Sequence, residues 1–465
     1  MLAQNRTEQD FLGKMELPRD TLYGIQTARA LENFPITDVP VSHYPELVVA
    51  LAMVKKACAL ANLDTQVLEK SLCDAIVGAC DEIIAGQHHH YFAVDMIQGG
   101  AGTSTNMNAN EVIANIALKN LGAQPGDYHR LHPNDHVNRS QSTNDVYPTA
   151  MHLAILAQCK VLTIAQDQLR QAFADKAAEF RAINKVGRTQ LQDAVPMTLG
   201  MEFAAFASTI EKDIAHIVQL SEDLKEINLG GTAIGTGINA PEGYSKIVAA
   251  HLSQISNYQL TPARDLIEAT SDVGALVAFS SGLKRIALKL SKICNDLRLL
   301  SSGPRTGLGE IMLPAVQPGS SIMPGKVNPV IPEVVNQIAF QVVGNDLTVS
   351  FAAEAGQMQL NAMEPVILFN ILQSTRILTR GMNVLRQRCV DDIVADTRHC
   401  DMLVNNSLVV STALVPKIGY EEAARIARLA TDNGCTVAEV VADLGIMTAD
   451  EFAALKQQTW LAPAN

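Results

Sequence analysis

The clearest chemical signal in the sequence is the segment Gly319–Pro329, which reads GSSIMPGKVNP. Its two adjacent serines are followed within eight residues by Lys326 and Asn328. An apolar run typical of a helix comes next, and Pro332 suits the first turn of that helix. Free backbone N–H groups at a helix start, beside a lysine and hydroxyls, favour binding of a carboxylate. No Walker-type phosphate-binding pattern is present, so this lysine is not predicted to bind a nucleotide.

Two other segments concentrate short hydrogen-bonding side chains. Gln141–Asp145 reads QSTND and precedes a long apolar-periodic run, whereas Gly99–Asn106 reads GGAGTSTN. An ordinary helix cap would explain one hydroxyl or amide of the first segment, and a flexible loop would explain the second. The alternative is that both segments supply donors to a substrate, and the residue types alone leave both interpretations open.

The composition excludes several classes of protein. The chain has 465 residues, 48% hydrophobic and 18% charged, with a formal net charge of −12. Such an acidic, ordinary globular composition argues against disorder and against binding to nucleic acid or an anionic membrane. The eight cysteines form no C-x-x-C pair and are predicted to be reduced thiols. No signal peptide and no run of about 18 apolar residues is evident, so a cytoplasmic protein is predicted.

Long helices are predicted where proline is absent and apolar residues recur at helical spacing. Between Pro262 and Pro304, eight apolar residues alternate at intervals of three and four. A weaker stripe follows Pro148. The region Tyr420–Gly445 indicates two short helices around Asn433-Gly434. The two stripes are Leu276, Phe279, Leu283, Ile286, Leu290, Ile293, Leu297 and Leu300, and Ile155, Cys159, Leu162, Ala165, Leu169 and Phe173.

Taken together, these segments resemble the aspartase/fumarase superfamily. GSSIMPGKVNP is similar to the signature of that family, and the resemblance extends from Leu22-Tyr23-Gly24 through Gly187–Asp193 to Gln359–Pro365. Three features are typical of aspartases rather than fumarases: QSTNDVYPT, the continuation NPVIPEVVNQ and the segment QLNAMEPV. The resemblance therefore implies reversible elimination of ammonia from L-aspartate to give fumarate, a carbon–nitrogen lyase reaction.

The resemblance also implies a mainly α fold with three domains and a homotetrameric assembly. The expected domains are an N-terminal mainly helical domain at 1–140, a central long-helix bundle at 141–396 and a small C-terminal helical domain at 397–465. Four copies of the central domain would form one bundle of helices, and each active site would be built from three subunits. No metal and no organic cofactor is expected.

Site residues follow from the same resemblance. Proton abstraction from Cβ would place a second negative charge on the β-carboxylate, giving an aci-carboxylate that needs fixed donors. Ser320 is expected to be the general base, acting as an alkoxide. Gln190 stands where many members of the family have a histidine, so a histidine-dependent mechanism is not expected. The substrate-binding set is Thr103, Ser142, Thr143 and Ser321 for the β-carboxylate, Lys326 and Asn328 for the α-carboxylate, and Thr189 and Asn144 for the amino group.

Two alternatives remain at this point. A class II fumarase would add water to fumarate instead of ammonia. A catalytically silent scaffold, as in lens crystallins related to this family, would lack the chemistry, although the intact Ser320, Lys326 and Asn328 argue against it. The segment His132–His136 also resembles a second dicarboxylate site of fumarases, whereas a surface turn capped by Asn134 or Asp135 is an equal alternative.

Overall fold

The computed structural model describes residues 5–460 of the chain, and within them helices dominate. The helices are α1 Ile25–Asn33, α2 Pro45–Asp64, α3 Lys70–Ile84, α4 Thr103–Asn120, α5 Thr143–Glu179, α6 Leu199–Glu222, α7 Tyr244–Ser256, α8 Glu268–Ser271, α9 Gly274–Leu300, α10 Val330–Glu354, α11 Glu364–Arg388, α12 Thr397–Asn406, α13 Val415–Ile418, α14 Tyr420–Asn433, α15 Val437–Asp443 and α16 Ala449–Trp460. The strands are β1 Asn5–Asp10, β2 Gly13–Pro18, β3 Asn184–Thr189, β4 Gln192–Thr198, β5 Glu226–Ile227, β6 Thr261–Pro262, β7 Ile311–Met312 and β8 Val394–Ala395.

The strands pair only two at a time. β1 and β2 form an antiparallel hairpin, and so do β3 and β4, with an irregularity in register between Gly187 and Arg188. β5 pairs with β6 in parallel, and β7 with β8 in antiparallel fashion. The predicted mainly α fold is therefore confirmed, with short strands serving as local connections.

Both apolar stripes lie in long helices. α9 contains the whole first stripe, and its eight members are between 0 and 4% exposed. The second stripe lies in α5, where its six members are also between 0 and 4% exposed. α5 is long and apolar enough to cross a membrane by length and composition, but 67% of its most apolar window is buried. This burial is typical of a helix in the core of a folded protein.

The chain divides into two compact units. Unit 1 comprises Met1–Ile164, Ala215–Ala287 and Phe340–Thr379, and unit 2 comprises Ala165–Ile214, Leu288–Ala339 and Arg380–Asn465. The divisions fall inside the long helices α5, α6, α9, α10 and α11. This division into two units does not test the three domains expected from the family resemblance, which stay a prediction.

The two short helices predicted around Asn433-Gly434 are confirmed as α14 and α15. Gly434 ends α14 with a left-handed φ of 63°, and Thr436 with Glu439 forms a capping box at the start of α15. These helices pack on a core in unit 2 that includes Ile426, Val441 and Phe452.

Candidate active site

The QSTND segment lies at the N-terminus of α5, where its residues have distinct roles. Ser142 precedes the helix, and its hydroxyl oxygen accepts a hydrogen bond from the N–H of Asn144 at 3.2 Å. Ser142 is therefore the helix cap that the alternative interpretation anticipated. The buried Thr143 hydroxyl accepts from the side-chain amide of Asn106 at 3.0 Å. Capping thus accounts for Ser142, while Thr143 and Asn144 have other partners.

Asn106 brings two helix N-termini together. It lies one turn after Thr103, the first residue of α4, and its amide reaches Thr143 at the first residue of α5. Gly102 precedes α4 with a φ of 84°, and a Cβ there would meet the ring of Tyr147 at 2.4 Å. The N-termini of α4 and α5 therefore lie next to each other, and the positive ends of their two helix dipoles together favour an anionic ligand.

Asp145 fixes the loop Gly230–Asn239 against this segment. One oxygen of its fully buried carboxylate accepts N–H groups from Gly230 and Thr232 at 3.0 Å each. The other oxygen accepts the N–H of Ser142 at 3.0 Å. Burial raises the pKa of Asp145 to about 6, because desolvation outweighs these three hydrogen bonds.

Pro148 leaves a carbonyl of α5 without its helical donor, and Asn228 replaces that donor. A proline has no N–H, so the carbonyl of Asn144, four residues earlier, lacks its partner in the helix. The side-chain amide of Asn228 donates to this carbonyl at 2.9 Å. The side chain of Asn144 in turn donates to the carbonyl of Ala233 at 2.8 Å. Asn144 is thus held at both its main chain and its side chain.

The signature segment forms an irregular loop in unit 2 that leads into α10. The Ser320 oxygen accepts N–H groups from Ile322 at 3.1 Å and from Met323 at 3.0 Å. Two N–H donors on one hydroxyl oxygen form an environment that stabilises negative charge on that oxygen. The neighbouring Ser321 is exposed.

The ends of this loop are closed by contacts between Gly319 and the residues near Lys326. The Gly319 N–H donates to the carbonyl of Lys326 at 2.8 Å, and the Asn328 amide donates to the carbonyl of Gly319 at 2.7 Å. A Cβ on Gly319 would meet the Lys326 carbonyl at 2.6 Å, so a glycine is required by close approach of the backbone. The Lys326 side chain is exposed, and Asn328 retains a second N–H for a ligand.

Thr189 lies at the tip of the β3–β4 hairpin, also in unit 2. The two turn residues, Gln190 and Leu191, have φ values of 54° and 63°. Two positive φ values suit the twist of a hairpin turn. The backbone is strained there for residues other than glycine, asparagine or aspartate. Leu191 is also 70% exposed. A strained, apolar and exposed tip is typical of a segment that acts on a partner or a ligand.

A buried ion cluster supports that hairpin. Arg188 donates to the fully buried carboxylate of Glu310 at 2.7 Å, and the Lys185 ammonium lies 2.9 Å from the same carboxylate. Lys185 also pairs with Glu202. Breaking a buried pair leaves an uncompensated charge, so the cluster holds the base of the hairpin firmly.

The expected site residues thus lie on two sets of segments. Thr103, Ser142, Thr143 and Asn144 lie together at two helix N-termini of unit 1. Unit 2 carries the signature loop and the Thr189 hairpin. Within residues 5–460, no group of three His, Cys, Asp or Glu side chains lies close enough to hold a metal ion.

The segment His132–His136 is not capped by Asn134 or Asp135, as the surface-turn interpretation predicted. Pro133–Val137 forms a short π-helix, and the side chain capping it belongs to His132, whose Nδ1 accepts the N–H groups of Asn134 and Asp135 at 3.1 and 3.2 Å. A role in dicarboxylate binding stays a prediction.

Comparisons with known proteins match nearly the whole chain. A lyase family model matches residues 13–344, and a fumarase C C-terminal model matches residues 410–460. An aspartate ammonia-lyase from Pseudomonas fluorescens is 59% identical over 446 residues, 96% of this chain and 93% of that protein.

Two solved structures extend the similarity to the fold. A fumarate lyase:delta crystallin from Brucella melitensis, bound to cobalt, has a TM-score of 0.96 at 56% identity and covers 98% of both chains. A class II fumarase from Schistosoma mansoni has a TM-score of 0.91 at 33% identity, covering 99% of this chain and 100% of that one. The chain therefore belongs to the lyase family that contains aspartate ammonia-lyases and class II fumarases, the aspartase/fumarase superfamily.

Proposed function

We propose that this chain is an aspartate ammonia-lyase, which converts L-aspartate reversibly to fumarate and ammonium. The observation that carries the proposal is the 59% identity to an aspartate ammonia-lyase over 96% of the chain, compared with 33% to a class II fumarase. The donor-rich helix N-termini of unit 1 and the lysine-bearing loop of unit 2 suit a substrate with two carboxylates.

The reaction begins with transfer of the Cβ proton to Ser320. The alkoxide form of Ser320 is favoured by the N–H donors of Ile322 and Met323. The electron pair of the C–H bond moves into the β-carboxylate and gives the aci-carboxylate. Fixed donors lower the free energy of this intermediate because they are already oriented before the charge develops. The donors assigned to it are Thr103, Ser142, Thr143 and Ser321.

Collapse of the aci-carboxylate expels the amino group. The electron pair returns to form the Cα–Cβ double bond, the C–N bond of the protonated amino group breaks, and ammonia leaves with the bonding electrons. The proton held by Ser320 then passes to ammonia, which gives ammonium and restores the alkoxide. Asn144 and Thr189 contact the departing group, and Lys326 with Asn328 binds the α-carboxylate. The chain's own residues supply every proton transfer in this scheme, so no metal or organic cofactor is assigned a step.

The assembly proposed is a homotetramer in which three subunits form each site. Apolar side chains exposed along one helix, α10, support an assembly: Phe340, Leu347 and Phe351 are 57 to 68% exposed. Large apolar side chains exposed along one helix are typical of interfaces between subunits. The exposed tip at Leu191 would then bring Thr189 to a neighbouring subunit's helix N-termini.

The decisive experiment is to incubate purified enzyme with fumarate, with and without ammonium, and to quantify aspartate and malate. We expect aspartate with ammonium and at most trace malate without it. Selectivity follows from neutral hydrogen-bonding groups at the amino position, because Gln190 offers no titratable base to activate water. If malate forms as fast as aspartate, the chain is a fumarase. If neither mixture gives a product, the chain is a catalytically silent scaffold.

A further inference from the structure

Unit 1 contains a cavity of about 550 Å³ between α5, α9, α11 and the short strands β5 and β6. Its lining has a marked excess of negative charge. Among the lining residues that the structure describes, Lys225 alone is cationic, and its ammonium donates a hydrogen bond to Glu222 at 2.6 Å. The lining carboxylates near the surface are Glu222, Asp223, Glu226, Glu268 and Asp272.

These carboxylates repel one another in the empty cavity. The pKa of Glu268 is raised, first by burial and then by the charges of Asp272 and Glu226. Lys225 is already engaged by Glu222, so the remaining carboxylates have no cation within the lining. A cavity with an excess of negative charge concentrates cations, so a small cation is the ligand that this surface favours.

Two deeper groups lack hydrogen-bond donors. Glu364 is 2% exposed, and its Oε2 has no partner. Nδ1 of His152 is also buried without a partner, while the ring hydrogen-bonds to the main chain at Leu224 and Glu226. Burial lowers the pKa of His152 to about 4, so at neutral pH the imidazole is uncharged and its free Nδ1 accepts hydrogen bonds. Two residues that line the cavity, Glu364 and His152, therefore each have a buried polar atom without a hydrogen-bond partner.

The acceptors suit an ion that donates N–H groups in several directions. Within the described part of the chain, the carboxylates and imidazoles do not form a group tight enough for a metal ion. Ammonium donates hydrogen bonds to dispersed acceptors and carries the charge that the surrounding carboxylates attract.

The cavity is also connected to the candidate site, because one of its lining residues contacts Asn144. Asn228 lines it and donates to the carbonyl of Asn144, and Pro148 in the same helix lines it as well. Asn144 is the residue assigned to the departing amino group.

We propose that this cavity binds ammonium and serves as its route to and from the active site. The inference rests on the proposed ammonia-lyase activity. In the amination direction, ammonium binds among the acidic side chains of the cavity before it adds to fumarate. In the reverse direction, the ammonium released from aspartate binds in the same cavity.

The test measures the KM values for ammonium and fumarate separately in the amination direction. The double variant Glu268→Gln/Asp272→Asn removes two of the attracting charges at the cavity. We expect its KM for ammonium to rise roughly three- to tenfold, while kcat and the KM for fumarate change less than about twofold. Glu364→Gln, which keeps the shape of the side chain, tests the deeper acceptor and is expected to raise the same KM.

The matched control is Asp20→Asn/Glu32→Gln, which removes two exposed charges of unit 1 away from the cavity and is expected to leave both KM values unchanged. Wild-type enzyme allows a second test that needs no variant. Potassium is small enough to compete with ammonium for the cavity, whereas choline is much larger. At equal ionic strength, potassium should therefore raise the apparent KM for ammonium more than choline does. An unchanged ammonium KM in both cavity variants, or equal effects of potassium and choline, would overturn the inference. If wild-type enzyme makes no aspartate at all, the proposed function itself fails.

Discussion

Asn228 and Asn144 are 84 positions apart in the chain, yet the side chain of one completes the main-chain hydrogen bonding of the other at 2.9 Å. The need arises from Pro148, which cannot donate to the Asn144 carbonyl. We therefore expect Asn228 to be a positioning residue, because its side chain contacts the main chain of Asn144, the residue proposed to contact the amino group.

Replacing Asn228 with alanine should lower kcat at least tenfold and reduce the free energy of unfolding by about 1–3 kcal/mol, because a partly buried carbonyl loses its donor. Steady-state kinetics and denaturant unfolding measure the two effects. Thr270→Val is the matched control, since it removes the other acceptor of the Asn228 amide, at 3.2 Å, and leaves Asn144 untouched. If both variants lost stability and neither lost kcat, Asn228 would be structural only.

Asp145 should impose a measurable pH dependence on stability. Its pKa is about 6 in the folded protein and is expected near 3.8, the ordinary value, in the unfolded chain. The folded state therefore binds the proton more tightly, and the stabilisation present below pH 3.8 is lost as the pH rises to about 6.

The comparison that isolates this effect is wild type against Asp145→Asn, by urea unfolding at several pH values between 4 and 8. The free energy of unfolding of wild type relative to the variant should fall as the pH rises from about 4 to about 6 and then stay constant. Parallel curves for the two proteins across this range would show that the folded and unfolded states bind the proton equally.

The sequence was sufficient for the long helices and for the segments rich in donors, but not for their supports. Apolar spacing predicted the buried stripes of α5 and α9 because helical periodicity is local. Asn228 could not be identified in this way, since its role depends on a partner 84 positions away. The same applies to Glu310, whose partner Arg188 is 122 positions away. Such contacts exist only once tertiary packing has brought the segments together.

The general base is tested by Ser320→Ala. We expect kcat to fall by about two to four orders of magnitude, the range that a positioned base supplies, with the assembly unchanged. Turnover with saturating aspartate, size-exclusion chromatography and circular dichroism are the measurements. Ser256→Ala removes a helical hydroxyl that donates to the Leu252 carbonyl outside the candidate site, and it should retain full activity. Retention of most of the kcat by the Ser320 variant would exclude this serine as the base.

Lys326 is expected to act mainly in binding. If Lys326 binds the α-carboxylate as proposed, Lys326→Ala removes a charge-assisted contact worth about 1.5–3 kcal/mol. The KM for aspartate should then rise by about one to two orders of magnitude. The effect on kcat should be smaller, because the contact exists in both the ground state and the transition state. Lys326→Arg should recover part of the affinity, since the charge is kept while the geometry changes. Lys70→Ala, which removes an exposed lysine paired with Asp74, is the control and should leave the KM unaltered. A Lys326→Ala enzyme with normal KM but much reduced kcat would instead place the lysine at the developing negative charge, on the β-carboxylate or on Ser320.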